Sequence, residues 1–159
     1  MDGWRVLVDL LKPGGLMMIG LYSELARQHI VEIRKEIVLQ KVKTSGSEIR
    51  KFRWLLTESD DKNHQLLTTS NDFFSLSAFR DLIFHVQEHR FTFPQIKNCL
   101  DELGLEFCGF NSDAKDVVLN FKSLHGKDSD ICDLTLWDQY EKSDPRAFAG
   151  MYQFWCQKI

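Results

Sequence analysis

The four cysteines of this 159-residue chain, Cys99, Cys108, Cys132 and Cys156, form no C-x-x-C pair and no zinc-ribbon spacing. That removes a clustered zinc site and a disulfide scaffold as its organising device. Cys99 and Cys108 sit among apolar neighbours, where a thiol behaves as a small hydrophobe. With nine glycines and three prolines the chain has no G-x-G anywhere, so it lacks the loop that lets backbone approach a nucleotide closely. Its longest apolar run, LMMIGLY, is far too short to span a bilayer. No basic region, apolar core and cleavage site open the sequence as a signal peptide would, and a reduced cytoplasmic compartment is the expectation. Net charge is −3, which gives no electrostatic case for nucleic acid. There is also no internal repeat, low-complexity tract or clear linker.

What is present argues for a real core. Hydrophobic residues make up 43% of the chain, with twelve Phe and four Trp, and a single domain of this size buries roughly 70% of its unfolded surface. Basic residues dominate between Arg27 and Arg53, and acidic ones between Asp113 and Asp144. Solvated helical surfaces explain that asymmetry, and self-association through opposite patches is the alternative.

Periodicity places the elements. Trp4, Leu7 and Leu11 recur at helical spacing, and Pro13-Gly14-Gly15 stops that helix in a turn. Leu16 to Tyr22 has no polar residue on either face, the pattern of a strand inside a sheet covered on both sides. Ala26, Ile30, Ile33 and Ile37 mark a helix from about Glu24 to Gln40, and Ile49, Phe52 and Leu56 another from Ser47. The polar segment from Glu58 to Asn71 reads as a loop with a short strand at Gln65 to Thr68. Ser75 or Ser77 caps a helix whose core face is Phe79, Leu82, Ile83 and Val86. Phe93-Pro94 opens the next helix, Ile96, Cys99, Leu100 and Leu103 form its stripe, and Gly104 ends it. Leu105 to Phe110 alternates as an edge strand does. A helix near Asp113 to Leu124, another capped by Asp133 carrying Leu134, Trp137 and Tyr140, and a second buried strand at Met151 to Cys156 complete a single α/β domain.

Two groups of residues carry chemistry. His85-Val86-Gln87-Glu88-His89 matches H-x-x-E-H, in which two histidines share a helical face and the glutamate polarises a zinc-bound water. Against zinc, no partner helix offers a third ligand, and a helix end at His89 favours the protonated imidazole that cannot ligate. A polar stripe with Asp81 and His85 paired at i, i+4 is the structural alternative. Tyr22, Ser23 and Arg27 follow the carboxyl end of the first strand, where open α/β sheets bind ligands. Helix capping by Ser23, with Glu24 in the first turn and Arg27 exposed, competes with that role. Trp137, Tyr140, Tyr152, Phe154 and Trp155 read as core before aromatic cage, and Phe73-Phe74 as buried under a loop before an exposed contact.

An amphipathic helix, K-P-G-G and a buried strand in that order resemble the turn before strand five of class I S-adenosylmethionine-dependent methyltransferases. YSELAR, FRDLIFHVQEHRFTFPQI, LGLEFCGF and FAGMYQFW extend the likeness. Together they resemble the C-terminal part of bacterial methyltransferases found at the end of tetratricopeptide-repeat proteins. The resemblance implies a partial Rossmann-like fold with Leu16–Tyr22 as strand five, Leu105–Phe110 as strand six, and residues 151–157 as strand seven, lying between the other two. It implies S-adenosylmethionine as the cofactor of the intact enzyme and a cofactor-binding half missing from this chain. No cofactor is then expected for the chain alone. It also makes the region between strands five and six an insertion that shapes the acceptor pocket, with His85, Glu88 and His89 facing the acceptor; Tyr22, Ser23 and Arg27 are expected to bind substrate from their place after the strand. A neutral histidine there accepts a proton from the acceptor or orients it. Three functions follow: the acceptor-side portion of a methyltransferase, a non-catalytic interaction module derived from one, or a zinc hydrolase. The expected partner is the missing half, or a second copy paired along the Leu16 to Tyr22 edge; nucleic acid and membrane are not expected.

Overall fold

The computed structural model describes residues 2–85 and 87–159. The chain gathers into two compact units, Met1–Ala26 with His89–Ile159, and Arg27–Glu88.

The first unit is built on a sheet. Helix α1 (Asp2–Leu10) runs into the Pro13-Gly14-Gly15 turn and then strand β1 (Leu16–Ser23). Gly14 takes φ +75°, a left-handed turn position that glycine occupies without strain. Its N–H donates to the carbonyl of Lys158, and the N–H of Lys158 donates to Gly15, which ties the turn to the end of the chain's last strand. Two-residue β2 (Arg90–Phe91) lies parallel to Tyr22 and Ser23. The remaining strands are β3 (Leu105–Phe110) and β4 (Tyr152–Lys158). The order is β2-β1-β4-β3, with β4 antiparallel to both neighbours. The strands expected as five, seven and six are therefore adjacent in that order, and β3 is the edge, Leu105 and Phe107 inward and Glu106 and Cys108 outward.

One expectation is overturned. The sheet is covered on one face, not two. Ile19 and Leu21 are buried, while Leu16 is 55%, Met18 52% and Trp155 40% exposed. An all-apolar strand cannot reveal this, because alternate side chains point to opposite faces whatever covers them. The covering layer is α6 (Phe93–Leu103), α7 (Lys115–His125) and α8 (Leu134–Ser143), whose Ile96, Leu100, Phe121 and Trp137 join Ile19, Phe107 and Phe154 in one core. Helix α6 starts with a reciprocal cap. Thr92 Oγ1 accepts from the N–H of Gln95, and Gln95 Oε1 accepts from the N–H of Thr92, which satisfies two donors at that end. Gly104 at φ +64° ends it. Trp137, Tyr140, Tyr152 and Phe154 are core, Trp137 stacked on Phe121 with centroids 3.9 Å apart. Trp155 is not. In α1 the buried residue is Val8, while Leu7 faces out.

The second unit is all helix: α2 (Gln28–Leu39), α3 (Gly46–Thr57), α4 (Lys62–Thr68) and α5 (Leu76–Phe84). Ile30, Ile33 and Ile37 of α2 pack with Ile49, Phe52 and Leu56 of α3, Leu67 of α4, and Phe79, Leu82 and Ile83 of α5. The expected core residue Val86 lies outside the described residues. Ser75, not Ser77, caps α5 by accepting from the N–H of Ala78. Helix α4 replaces the expected loop and strand. Asp61 accepts from the N–H groups of Asn63 and His64, a helix start that outweighs the weak strand pattern of QLLT. Of the Phe73-Phe74 pair, Phe73 is buried and Phe74 is 74% exposed. Helix α2 begins at Gln28 rather than Glu24, after a turn in which Ser23 Oγ accepts from the N–H of Ala26.

Candidate functional site

The carboxyl end of β1 carries the first group of candidates. Ser23 is completely buried, and its hydroxyl donates to Oε1 of Glu141 at 2.6 Å. The phenol of Tyr152 donates to the same carboxyl group, 2.6 Å from one oxygen and 2.8 Å from the other. Strand β1, helix α8 and strand β4 thus meet in a polar knot in which, among the described residues, the carboxyl group is held by two hydroxyls and no cation. Burial pushes the Glu141 carboxyl above its ordinary range, against the lowering effect of the Ser23 and Tyr152 hydrogen bonds. Burial and the adjoining carboxyl group also push the Tyr152 phenol up. Ser23 is therefore closed off from solvent, its hydroxyl engaged by Glu141 and the N–H of Ala26. Glu141 was legible in principle: it lies at i+4 from Trp137 and i+7 from Leu134, a carboxylate on an apolar stripe. Beside it, Tyr22 is half-buried, and Glu24 receives the Arg90 guanidinium at 3.1 Å.

Glycine geometry tests whether this end of the sheet fits S-adenosylmethionine. The glycines with positive φ are Gly14, Gly104, Gly109 and Gly126. They lie in the turn before β1, after α6, within β3 and after α7. None follows the carboxyl end of a parallel strand, where close backbone approach to the cofactor is needed.

The helical unit brings Arg27 and Glu88 together from its two ends. Arg27 Nη2 lies 2.6 Å and Arg34 Nη2 3.0 Å from Glu88 Oε2, with Glu88 only 3% and Arg27 8% exposed in their side chains. Burial raises the Glu88 carboxyl, but the two guanidinium groups outweigh it and hold the group below its usual value. Arg34 also donates to the carbonyl of Leu82 at 2.6 Å, taking an acceptor of the last turn of α5. That helix stops at Phe84 and His85 turns to φ −59°, ψ 126°. H-x-x-E-H therefore does not lie on one helical face. The zinc geometry is lost, as is the Asp81–His85 pair at i, i+4. The N–H of Gln87 donates to Nδ1 of His85 at 3.3 Å. His89 is exposed just before β2.

A cleft of about 760 Å³ opens within the same unit, and His85 is on its wall with Arg80 and Asp81 over a floor of Ile49, Leu76 and Phe84. Elsewhere in the unit, His64 bridges Glu36 at 2.9 Å and Ser59 at 2.8 Å through its two ring nitrogens, a tie between α2 and α4 that no local pattern announced.

No family model matches the chain, and no curated protein matches it. Among solved structures it is similar to PKMT2 from Rickettsia typhi in complex with AdoHcy, with a TM-score of 0.63 at 14% identity. The match covers 96% of this chain and 31% of that one, so the chain spans about a third of its neighbour's length. At that identity the likeness is one of fold. The fold is α/β, a partial Rossmann-like methyltransferase fold that holds strands five, seven and six with flanking helices. No described helix is long and apolar enough to cross a membrane.

Proposed function

We propose that this chain is the acceptor-side portion of an S-adenosylmethionine-dependent methyltransferase, of the kind associated with tetratricopeptide repeats in bacteria. It works in the cytoplasm beside a cofactor-bearing portion. The observation that carries the reading is the fold match over 96% of the chain to a structure solved with AdoHcy, the product left when the methyl group of S-adenosylmethionine has been transferred. Two features support it. The strand order is that of strands five, seven and six, and β1 accepts a parallel neighbour at Tyr22 and Ser23 while Leu16 to Leu21 have no strand on that side among the described residues. That open edge suits a further parallel strand, the one that carries the cofactor portion in the resembling enzymes.

In this reading the chain contributes position rather than donor binding. The Ser23–Glu141–Tyr152 knot fixes the carboxyl end of β1. The Arg27–Glu88–Arg34 cluster closes the helical unit at its base, and His85, with Nδ1 as acceptor, stands where an acceptor molecule can reach it. Methyl transfer asks the protein mainly for orientation and removal of a proton from the nucleophile. When bound, the cofactor supplies the electrophilic methyl.

Calorimetric titration of the isolated chain with S-adenosylmethionine tests the division of labour. The expected result is no binding tighter than millimolar. A micromolar dissociation constant would show that the donor site is complete here and overturn the proposal. A second reading, a non-catalytic module derived from the same fold, shares this expectation. It is favoured by the exposed apolar residues of β1 and β4, Leu16, Met18 and Trp155, which suit an interface whether or not chemistry follows.

A further inference from the structure

The cleft of the helical unit has the composition of a ligand site rather than of a packing fault. About 760 Å³ lies within the range of small-molecule pockets, roughly 300–1,000 Å³. Its floor is apolar: Ile49 is 1% exposed, and Leu76 and Phe84 are half-buried beside it. Its wall is charged. Arg80 lines it, and the Arg50 guanidinium adjoins it, 3.5 Å from where a Cβ on the lining residue Gly46 would sit. Neither guanidinium has a hydrogen-bond or ion-pair partner among the described residues. Asp81 is the single acidic group of the lining and offsets Arg80, so the surplus of positive charge comes from the adjoining Arg50.

We propose that this cleft binds a small amphipathic anion, a carboxylate on an apolar body, with the body on Ile49, Leu76 and Phe84 and the carboxylate toward Arg80 and Arg50. Guanidinium groups recognise carboxylates in a two-pronged geometry that an ammonium cannot reproduce. Burying an apolar tail on the floor supplies the affinity, at about 25 cal/mol per Å² of surface removed from water. Asp81 then acts as a selectivity group. It repels the ligand's charge and sets an upper limit on affinity that its removal lifts. Every residue in it belongs to Arg27–Glu88, and the cleft shares His85 with the methyl-acceptor reading but does not rest on that reading, because the ligand is held by Ile49, Leu76, Phe84 and Arg80.

Decanoate is the probe, with decyltrimethylammonium as the charge-reversed control, and binding is followed through the methyl resonances of Ile49 and Leu76. The expected result is a saturable shift of both methyls by decanoate and a weaker response to the cation. Arg80→Gln should weaken decanoate binding about fivefold and Asp81→Asn tighten it by a similar factor, the range of one exposed charge interaction. Both side chains are exposed, so both variants should fold, which the unchanged spectrum of the remaining methyls verifies. Equal or stronger binding of the cation overturns the proposal. So does indifference to both substitutions, or a response confined to other apolar surfaces with Ile49 and Leu76 unmoved.

Discussion

At the scale of single residues, Glu141 is the most consequential group in the sheet unit. Its side chain is 1% exposed and its hydrogen bonds come from two neutral hydroxyls, Ser23 and Tyr152, while Asp138 adds a repulsive charge. Burial leads the causes that lift its pKa above 4.5. A raised folded value means that the fold prefers the protonated form. The stabilisation is therefore full below the ordinary carboxyl range and is lost as pH rises through the folded value. Wild-type protein should lose stability between pH 5 and pH 8 relative to Glu141→Gln, which keeps the shape and an acceptor oxygen but cannot ionise. Glu141→Ala should cost about 2–4 kcal/mol at either pH, because it leaves a cavity and two buried hydroxyls without an acceptor. Urea unfolding of the three proteins at both pH values decides it. Parallel pH slopes for wild type and Glu141→Gln would exclude Glu141 as the titrating group.

At the scale of elements, the Arg27–Glu88–Arg34 cluster fixes where α5 ends and joins the two ends of the helical unit. Here the sign is the reverse. The guanidinium groups hold Glu88 below its ordinary value despite burial, so its contribution is present above that value and lost as pH falls below it. Glu88→Gln removes the counter-charge from Arg27, which is 8% exposed in its side chain. A loss of about 3 kcal/mol is the expectation for one partner of a buried pair. Hydrogen exchange should accelerate across α2 and α5 together. A loss under 1 kcal/mol with unaltered exchange would mean that packing alone closes the unit.

The same elements show what a sequence can and cannot reveal. The helices with an apolar stripe and a side-chain cap, α3, α5 and α6, were legible from Ile49, Phe52 and Leu56, from Ser75 and Phe79, and from Phe93-Pro94 to Gly104. Local signals decide them. Helix α4 was not, because it buries only Leu67 and owes its place to Asp61 and to packing on α2 and α3. Strand β2 was not, because two residues, Arg90 and Phe91, carry no period and are strand only through pairing with Tyr22 and Ser23. Arg27 and Glu88 were each singled out, but their pairing was invisible at a separation of 61 residues. H-x-x-E-H misled for a related reason: the motif presumes a helix, and Arg34 on the carbonyl of Leu82 marks where that helix stops.

At the scale of the whole molecule, the sheet's outer face joins fold to function. Met18 and Trp155 are cross-strand partners there, 52% and 40% exposed, with Leu16 beside them on β1. Isolated apolar side chains on a surface are ordinary, but a contiguous set on a sheet with an open strand edge is what an interface requires. If the cofactor-bearing portion covers it, the chain alone should self-associate through the same surface as concentration rises. The double variant Met18→Lys, Trp155→Lys should suppress that association. It should cost only about 1 kcal/mol of stability, since a cross-strand pair contributes roughly 0.2–1 kcal/mol and neither side chain is in the core. Light scattering across a concentration series, together with urea unfolding, separates the outcomes. Association that survives the substitutions would place the interface elsewhere, on the charged helical surfaces for instance. A collapse of stability would mean that this face is part of the core after all. Loss of association with stability retained assigns Leu16, Met18 and Trp155 to the surface on which a second chain or the cofactor portion sits.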